Sequence, residues 1–127
     1  MFRILAANTN EDALGLIRHT AETAGHAIET ATTAGQFKAA FTRFRPDVVI
    51  VDLRMTDLGG AEIIRWLSEA EAPPRVILIA GGAGESFGDV AGEIAAVRGT
   101  TDIAMLPEPL RVLDLLGAMS RDGPDAE

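Results

Sequence analysis

The sequence predicts an α/β fold in which one doubly wound parallel sheet is covered by helices on both faces. Two continuous apolar runs, at residues 48–51 and 76–80, are typical of strands buried in the middle of a parallel sheet. Five segments with strand character alternate with five segments of helical spacing. Because connections in such chains are short and crossovers right-handed, this alternation favours a single doubly wound sheet.

The strands differ in how apolar they are, which predicts their depth in the sheet. The second segment contains Glu29 and Thr30 and is therefore expected at an edge, whereas the third and fourth are expected in the centre. The order of the strands does not follow from these patterns alone. The predicted strands are residues 2–7, 26–31, 48–52, 76–80 and 101–106.

The helices carry recognisable start and stop signals. Asn10 is a good N-cap, with Glu11 and Asp12 in the first turn, and Gly25 is placed to end that helix. Thr33 is the expected N-cap of the second helix. The apolar positions of the five predicted helices are Leu14, Ile17, Ala21 and Ala24; Phe37, Ala40, Phe41 and Phe44; Ile63, Ile64, Trp66, Leu67 and Ala70; Val90, Ile94 and Val97; and Val112, Leu115, Leu116 and Met119.

Length and composition indicate one globular domain. The chain has 127 residues, 47% of them hydrophobic, and we expect the domain to span residues 1–120, with 121–127 as a flexible tail or the start of a linker. The sequence contains no cysteine and no apolar run near the roughly 20 residues that cross a bilayer. The net charge of −8 argues against nucleic-acid binding. A cytoplasmic protein without membrane contact is the expectation.

Asp52 is the leading candidate for a functional residue. It directly follows the apolar run 48–51, so it lies at the carboxyl end of a predicted central strand. In open α/β sheets, ligands and chemistry collect at this edge. The alternative is a strand-end carboxylate that backbone N–H groups satisfy. His19 and His26 are expected at the surface or a strand edge rather than as a phosphodonor or a metal pair.

Two segments give the chain a family resemblance. Residues 45–60 resemble the third strand, phosphoacceptor and following loop of response-regulator receiver domains (CheY-like), and residues 106–110 resemble the segment where these domains carry a Lys-Pro pair. The resemblance covers about residues 2–120. It implies a flavodoxin-like fold with strand order 2-1-3-4-5, and it implies that Asp52 occupies the phosphoacceptor position.

The same resemblance implies that the phosphorylation pocket is altered. Asn8 and Thr9 stand where the family has two acidic residues that hold Mg²⁺, and Leu106 stands where it has a lysine. Ala80 replaces a threonine or serine, and Ile103 replaces an aromatic switch residue. Phosphoryl transfer depends on positive charge near the transferred group, so these changes weaken the expected chemistry.

Three questions about the pocket stay open at the level of sequence. Arg54 is predicted either to pair with Asp52 or to be solvated. Glu11 and Asp12 either replace the missing metal ligands or only form the first turn of the helix. No cofactor is expected unless phosphorylation is retained, in which case Asp52, Asn8 and the backbone of Arg54 form a weak Mg²⁺ site.

The leading hypothesis is a pseudo-receiver of two-component signal transduction. It acts through protein–protein contacts, has no enzymatic activity, and has absent or weak phosphorylation of Asp52. Its expected partners are a histidine kinase or an effector domain, and a homodimer through the predicted fourth helix, fifth strand and last helix is also expected. The tail and the lengthened segment before the fifth strand resemble receivers fused to EAL-type cyclic-di-GMP phosphodiesterases.

Two alternatives accompany this hypothesis. In the first, the chain is a conventional phosphoacceptor that a histidine kinase phosphorylates at Asp52. In the second, it is a small flavodoxin-like cofactor-binding protein. The glycines at 81–84 do not support a nucleotide loop, because no Lys-Ser or Lys-Thr follows them.

Overall fold

The computed structural model describes residues 2–52, 60–71, 73–80, 103–107 and 110–120. Strands and helices alternate along these residues up to the fourth strand, as the sequence predicts, and the segment between the fourth and fifth strands is outside them. The elements are β1 (Arg3–Ala7), α1 (Glu11–Thr23), β2 (Ala27–Ala31), α2 (Ala34–Phe44), β3 (Val48–Asp52), α3 (Gly60–Ser68), β4 (Arg75–Ala80), β5 (Ile103–Pro107) and α4 (Val112–Ser120).

The five strands form one parallel sheet with the order β2-β1-β3-β4-β5. This order confirms the one that the family resemblance implies, and it confirms β2 as an edge strand. β3 lies in the centre and all five of its residues are buried. The switch point of the strand order lies between β1 and β3, so the ends of these two strands meet at the edge where ligands bind in such sheets.

Both faces of the sheet are covered, each by its own core. On one face α2 and α3 pack on the sheet through Phe37, Ile64 and Leu67, and on the other α1 and α4 pack through Ile17, Leu115 and Met119. Successive strand residues point to opposite faces, so every strand contributes to both cores. Fully burying each of these large side chains stabilises the fold by roughly 1.5–3 kcal/mol.

The predicted helix caps are present. The Asn10 side chain accepts hydrogen bonds from the N–H groups of Asp12 (2.9 Å) and Ala13 (3.2 Å), which satisfies the first turn of α1. Gly25 follows the end of α1 with φ of 87°. The Thr33 hydroxyl accepts from the N–H of Gln36 at 3.1 Å and caps α2.

The structure corrects three of the predicted apolar positions. Val112 is 45% exposed rather than buried, because it lies in the first turn of α4, where Leu110 packs against the core instead. Ala24 is the exposed C-cap of α1, and Ala70 lies beyond the end of α3. Strand boundaries shift slightly: β4 begins at Arg75, and β5 extends to Pro107.

Several predictions lie outside the described residues. They are the fourth helix with Val90, Ile94 and Val97, the pairing of Arg54 with Asp52, and the tail at 121–127.

Candidate functional site

Asp52 is the last residue of the central strand. It is 2% exposed, and its strand pairs with β1 on one side and β4 on the other. The apolar run before it is buried on both faces of the sheet, which fixes the carboxylate at the carboxyl edge. The structure therefore places a buried acid at the position that the sequence predicts.

The strand register places Asp52 in a row across the sheet with Asn8, Ile79 and Leu106. Asn8 and Leu106 are predicted site positions, and Ile79 directly precedes a third, Ala80. Ala7 lies opposite Val51, so Asn8, the next residue, continues the row beside Asp52. On the other side Asp52 lies opposite Ile79, and Ile79 lies opposite Leu106. The alternation of side chains assigns this row to the face covered by α1 and α4. Asp52 is the one charged residue in the row.

Asn8 is a buried amide at the end of β1. It is 1% exposed, and its backbone N–H still pairs with the carbonyl oxygen of Ala31 at 3.1 Å. Its Oδ1 accepts a hydrogen bond from the N–H of Asn10 at 2.9 Å. Its Nδ2 is buried and has no hydrogen-bond partner among the described residues. Asn8 therefore presents an unpaired donor, while its Oδ1 already accepts one hydrogen bond.

The acidic residues near β1 do not complete a metal site. Glu11 and Asp12 are exposed in the first turn of α1, and Thr9 is exposed as well. Within the part of the chain that the structure describes, no three His, Asp or Glu side chains lie close enough to hold a metal ion. Mg²⁺ prefers charged oxygen ligands. The described residues around Asp52 do not fit this ion, since Asn8 is a neutral amide and Glu11 and Asp12 are exposed on α1.

The remaining predicted positions are divided between the two faces. Leu106 is half-buried and packs against the core under α1 and α4, so an apolar side chain fills the row where a cation is expected in the family. Ile103 is 8% exposed and belongs to the opposite core, under α2 and α3. Ala80 ends β4 and lies opposite Pro107.

Sequence reasoning missed two arginines that tie helix ends to the sheet. Arg75 is 8% exposed, and its guanidinium donates to the carbonyl oxygen of Ala118 in the last turn of α4. Arg3 donates to the carbonyl oxygens of Phe44 (3.0 Å) and Arg45 (3.1 Å) at the end of α2. A cation is favourable at a helix C-terminus. No local sequence signal predicts these contacts, because the partners are 41–43 residues apart.

His26 has a structural role. Its Nδ1 accepts a hydrogen bond from the N–H of Phe2 at 3.1 Å, and the two rings lie 5.4 Å apart. Burial, with a smaller contribution from the positive N-terminus, lowers the pKa of His26 below its ordinary value of 6.5. His19 is exposed on α1. The interpretation of the two histidines as surface or strand-edge residues fits these positions.

A groove of about 850 Å³ lies at the opposite edge of the sheet. Arg3, Asp47 and Pro74 line it, and these residues stand at the amino ends of β1, β3 and β4. Asp52 stands at the carboxyl ends. The groove is therefore separate from the candidate site, and its lining combines helix ends and connections.

The parallel sheet and the buried acid at its switch point define an α/β domain with the architecture of a signalling receiver. The model of the response regulator receiver domain family matches residues 4–98 of the chain. The chain belongs to this family. Receiver domains are signalling domains that interact with kinases and effector domains. Among the described residues, no helix has the length and apolar character needed to span a membrane.

Individual relatives agree with this assignment. The chain is 37% identical over 83 residues to the C4-dicarboxylate transport transcriptional regulatory protein DctD of Pseudomonas aeruginosa, covering 65% of this chain and 17% of that protein. It is 29% identical over 105 residues to the photosynthetic apparatus regulatory protein RegA of Cereibacter sphaeroides, covering 82% and 54%. The chain thus spans about half or less of these two relatives.

Solved structures give the same fold. A response regulator receiver domain protein from Clostridium thermocellum superimposes with a TM-score of 0.75 at 26% identity, covering 94% of this chain and 91% of that one. The signal receiver domain of a DNA-binding response regulator from Colwellia psychrerythraea superimposes with a TM-score of 0.77 at 20% identity, covering 94% and 95%. At this lower identity, the likeness concerns the fold alone.

Proposed function

We propose that this chain is an atypical receiver, a pseudo-receiver, which signals through protein–protein contacts with absent or weak phosphorylation of Asp52. The observation that carries the proposal is the row Asn8, Asp52, Ile79 and Leu106 at the carboxyl edge of the sheet. A single carboxylate stands there between an amide and an isoleucine. Neither a second acid nor a cation accompanies it in that row.

The charge of the side chains around Asp52 determines how readily it accepts a phosphoryl group. Phosphoryl transfer to a carboxylate brings two groups of negative charge together, and catalysis comes almost entirely from positioning and from cations that neutralise this charge. Leu106 supplies an apolar side chain, and Asn8 supplies a neutral amide in place of a carboxylate. Both changes favour an unmodified Asp52 over the aspartyl phosphate.

A conventional phosphoacceptor is the second candidate. It is favoured by the position of Asp52, a buried acid at the carboxyl end of β3. In this case Mg²⁺ binds weakly and a histidine kinase supplies the phosphoryl group. The family membership supports either receiver function over a flavodoxin-like cofactor-binding protein.

We further propose that α4 contributes to the contact surface for an effector domain or a second copy of the chain. Leu113 is 81% exposed and Val112 is 45% exposed on this helix, and neighbouring large apolar side chains at a surface mark interaction sites. The relatives are longer than this chain, which supports an effector in the same polypeptide. Fusion to a cyclic-di-GMP phosphodiesterase stays a prediction.

The test is a titration of the purified domain with Mg²⁺ and beryllofluoride, followed by amide NMR. Beryllofluoride mimics a phosphoryl group on an aspartate. For a pseudo-receiver we expect no saturable shifts at millimolar Mg²⁺. Saturable shifts clustered at Asp52, Ala80 and Leu106 would contradict the proposal and favour the conventional phosphoacceptor.

The matched control is the Asp52→Asn variant. It has nearly the same shape but cannot form the beryllofluoride adduct, so its spectrum defines nonspecific effects of the ions. Shifts that occur equally in the variant and the natural chain do not count as pocket binding. Shifts present only in the natural chain do.

A further inference from the structure

The orientation of the Asn8 amide is fixed by its neighbour. The backbone N–H of Asn10 can only donate, so the side-chain atom 2.9 Å from it is the oxygen Oδ1. Amide oxygen and nitrogen are otherwise assigned from their hydrogen bonds. The nitrogen Nδ2 then occupies the other branch. It is buried and has no hydrogen-bond partner among the described residues.

An unsatisfied donor at this place restricts what the pocket accepts. The Asn8 side chain is 1% exposed and lies next to Asp52 in the same row. Buried donors are nearly always paired in native proteins, so Nδ2 favours an oxygen acceptor beside it. The same N–H group carries partial positive charge and repels a cation. The amide oxygen is neutral and already accepts one hydrogen bond from Asn10, so it is a weaker ligand for Mg²⁺ than a carboxylate oxygen.

We propose that Asn8 determines the ion specificity of the Asp52 pocket by excluding Mg²⁺. The inference rests on the proposed pseudo-receiver function and deepens it, because it names one amide that opposes metal binding. A carboxylate at position 8 would keep the acceptor for the Asn10 N–H. It would replace the repelling donor with a second charged oxygen beside Asp52.

The test is the Asn8→Asp variant, which has nearly the same size and shape as the natural residue. We expect Mg²⁺ alone to bind this variant at least about ten-fold more tightly than it binds the natural chain, in line with the effect of losing one support of a metal site. Amide NMR titration measures the affinity. Thermal unfolding provides a second readout: Mg²⁺ should raise the Tm of the variant and leave that of the natural chain unchanged.

The matched control is Asn10→Asp. It adds the same charge two residues away at an exposed N-cap, where aspartate also serves as a cap. If general negative charge attracted the ion, this variant would gain the same affinity. A gain in Asn10→Asp equal to that in Asn8→Asp would overturn the proposal.

The outcomes separate this inference from the proposed function. A folded Asn8→Asp domain without a Mg²⁺ response, beside a natural chain that is also inert, overturns the role of Asn8 and leaves the pseudo-receiver function standing. Saturable beryllofluoride binding by the natural chain overturns the function. If the variant unfolds without the ion, circular dichroism should show Mg²⁺ restoring its helices. A chain that stays unfolded at millimolar Mg²⁺ contradicts the proposal.

Discussion

Asp52 combines deep burial with weakly polar neighbours in its row. In the row, Asn8 offers an amide, and Ile79 and Leu106 offer only hydrocarbon. A phosphoryl group would add further negative charge to this place. On the proposed function, the described side chains of this row give little support to the reaction.

His26 makes the stability of the domain depend on pH. Its Nδ1 accepts from the N–H of Phe2, and an imidazolium has no acceptor, so protonation breaks this bond. The pKa of His26 in the folded state is lowered below 6.5, chiefly by burial. As the pH falls through 6.5, the unfolded chain takes up the proton first. His26 therefore makes its full contribution to the free energy of unfolding above pH 6.5, and this contribution decreases as the pH falls below 6.5.

The measurement is urea unfolding of the natural chain and of His26→Asn between pH 7.5 and 5.5. The asparagine oxygen can replace Nδ1 as the acceptor but does not titrate. We expect the variant to lose less stability than the natural chain over this range. His19→Asn serves as the control, because His19 is exposed on α1. Parallel pH profiles for the natural chain and His26→Asn would show that His26 does not contribute.

The roles that depend on neighbouring residues in the sequence could be predicted. Asp52 was predictable because the apolar run before it defines a buried strand, and Asn10 because capping depends on the next three residues. The roles of His26 and Arg75 were not predictable. Each depends on a contact with a residue 24 or 43 positions away. The donor character of Asn8 also required the structure, since it follows from which amide atom faces Asn10.

At the scale of elements, α1 and α2 leave the helical conformation through left-handed residues. Gly25 follows α1 with φ of 87°, and Arg45 is the C-cap of α2 with φ of 53°. Glycine adopts this conformation without strain, whereas arginine does not. Arg45 keeps it because its carbonyl oxygen accepts from the guanidinium of Arg3 and its N–H donates to the carbonyl oxygen of Phe41.

These two helix ends give a matched pair of stability predictions. Gly25→Ala should lower the free energy of unfolding by about 1 kcal/mol, because alanine is strained at positive φ. No atom lies within 4 Å of the added Cβ, so crowding does not contribute. Arg45→Gly should raise the free energy of unfolding by up to about 1 kcal/mol. The relief of backbone strain exceeds the cost of the larger conformational entropy that glycine loses on folding. Urea unfolding measures both.

The two substitutions act as each other's control. Both exchange glycine and a larger residue at a left-handed position within two residues of a helix end, and both leave the backbone hydrogen bonds in place. Opposite signs are expected. A loss of stability in Arg45→Gly would mean that the exposed arginine side chain contributes more than the backbone strain costs.

Elements with strong periodicity were predicted well, and those with mixed patterns less so. The four residues of β3 before Asp52 are all apolar, and the end of the strand at Asp52 is confirmed. In α4 the spacing of Val112, Leu115 and Met119 predicts one buried face, but only the latter two are buried. Periodicity does not reveal where a helix first meets the sheet. Here the half-buried Leu110, before the helix, takes the contact.

For the whole molecule, the backbone forms the row at the carboxyl edge independently of the side chains in it. Strand order and register bring positions 8, 52 and 106 together, and these depend on the two cores rather than on the pocket. The fold was therefore predictable even though the pocket differs from the family pattern. The state of the pocket depends on a few side chains at the edge.

This separation predicts that pocket chemistry can be restored by substitution alone. The variant Asn8→Asp, Thr9→Asp and Leu106→Lys introduces the acids and the cation at positions that the sheet already aligns. Thr9 is exposed, so its change costs little, and the lysine stem can stay against the core that Leu106 contacts. On the proposed function, we expect this variant, unlike the natural chain, to show saturable Mg²⁺ and beryllofluoride binding in amide NMR.

Adding Asp52→Asn to this triple variant provides the control and should abolish beryllofluoride binding. On the proposed function, the response of the triple variant also separates two accounts of absent or weak phosphorylation. Binding would mean that the row alone accounts for it. A folded triple variant that binds Mg²⁺ but not beryllofluoride would assign the loss to other family positions, Ala80 above all, because its methyl group replaces the hydroxyl expected there. Restoring threonine at position 80 then completes the test.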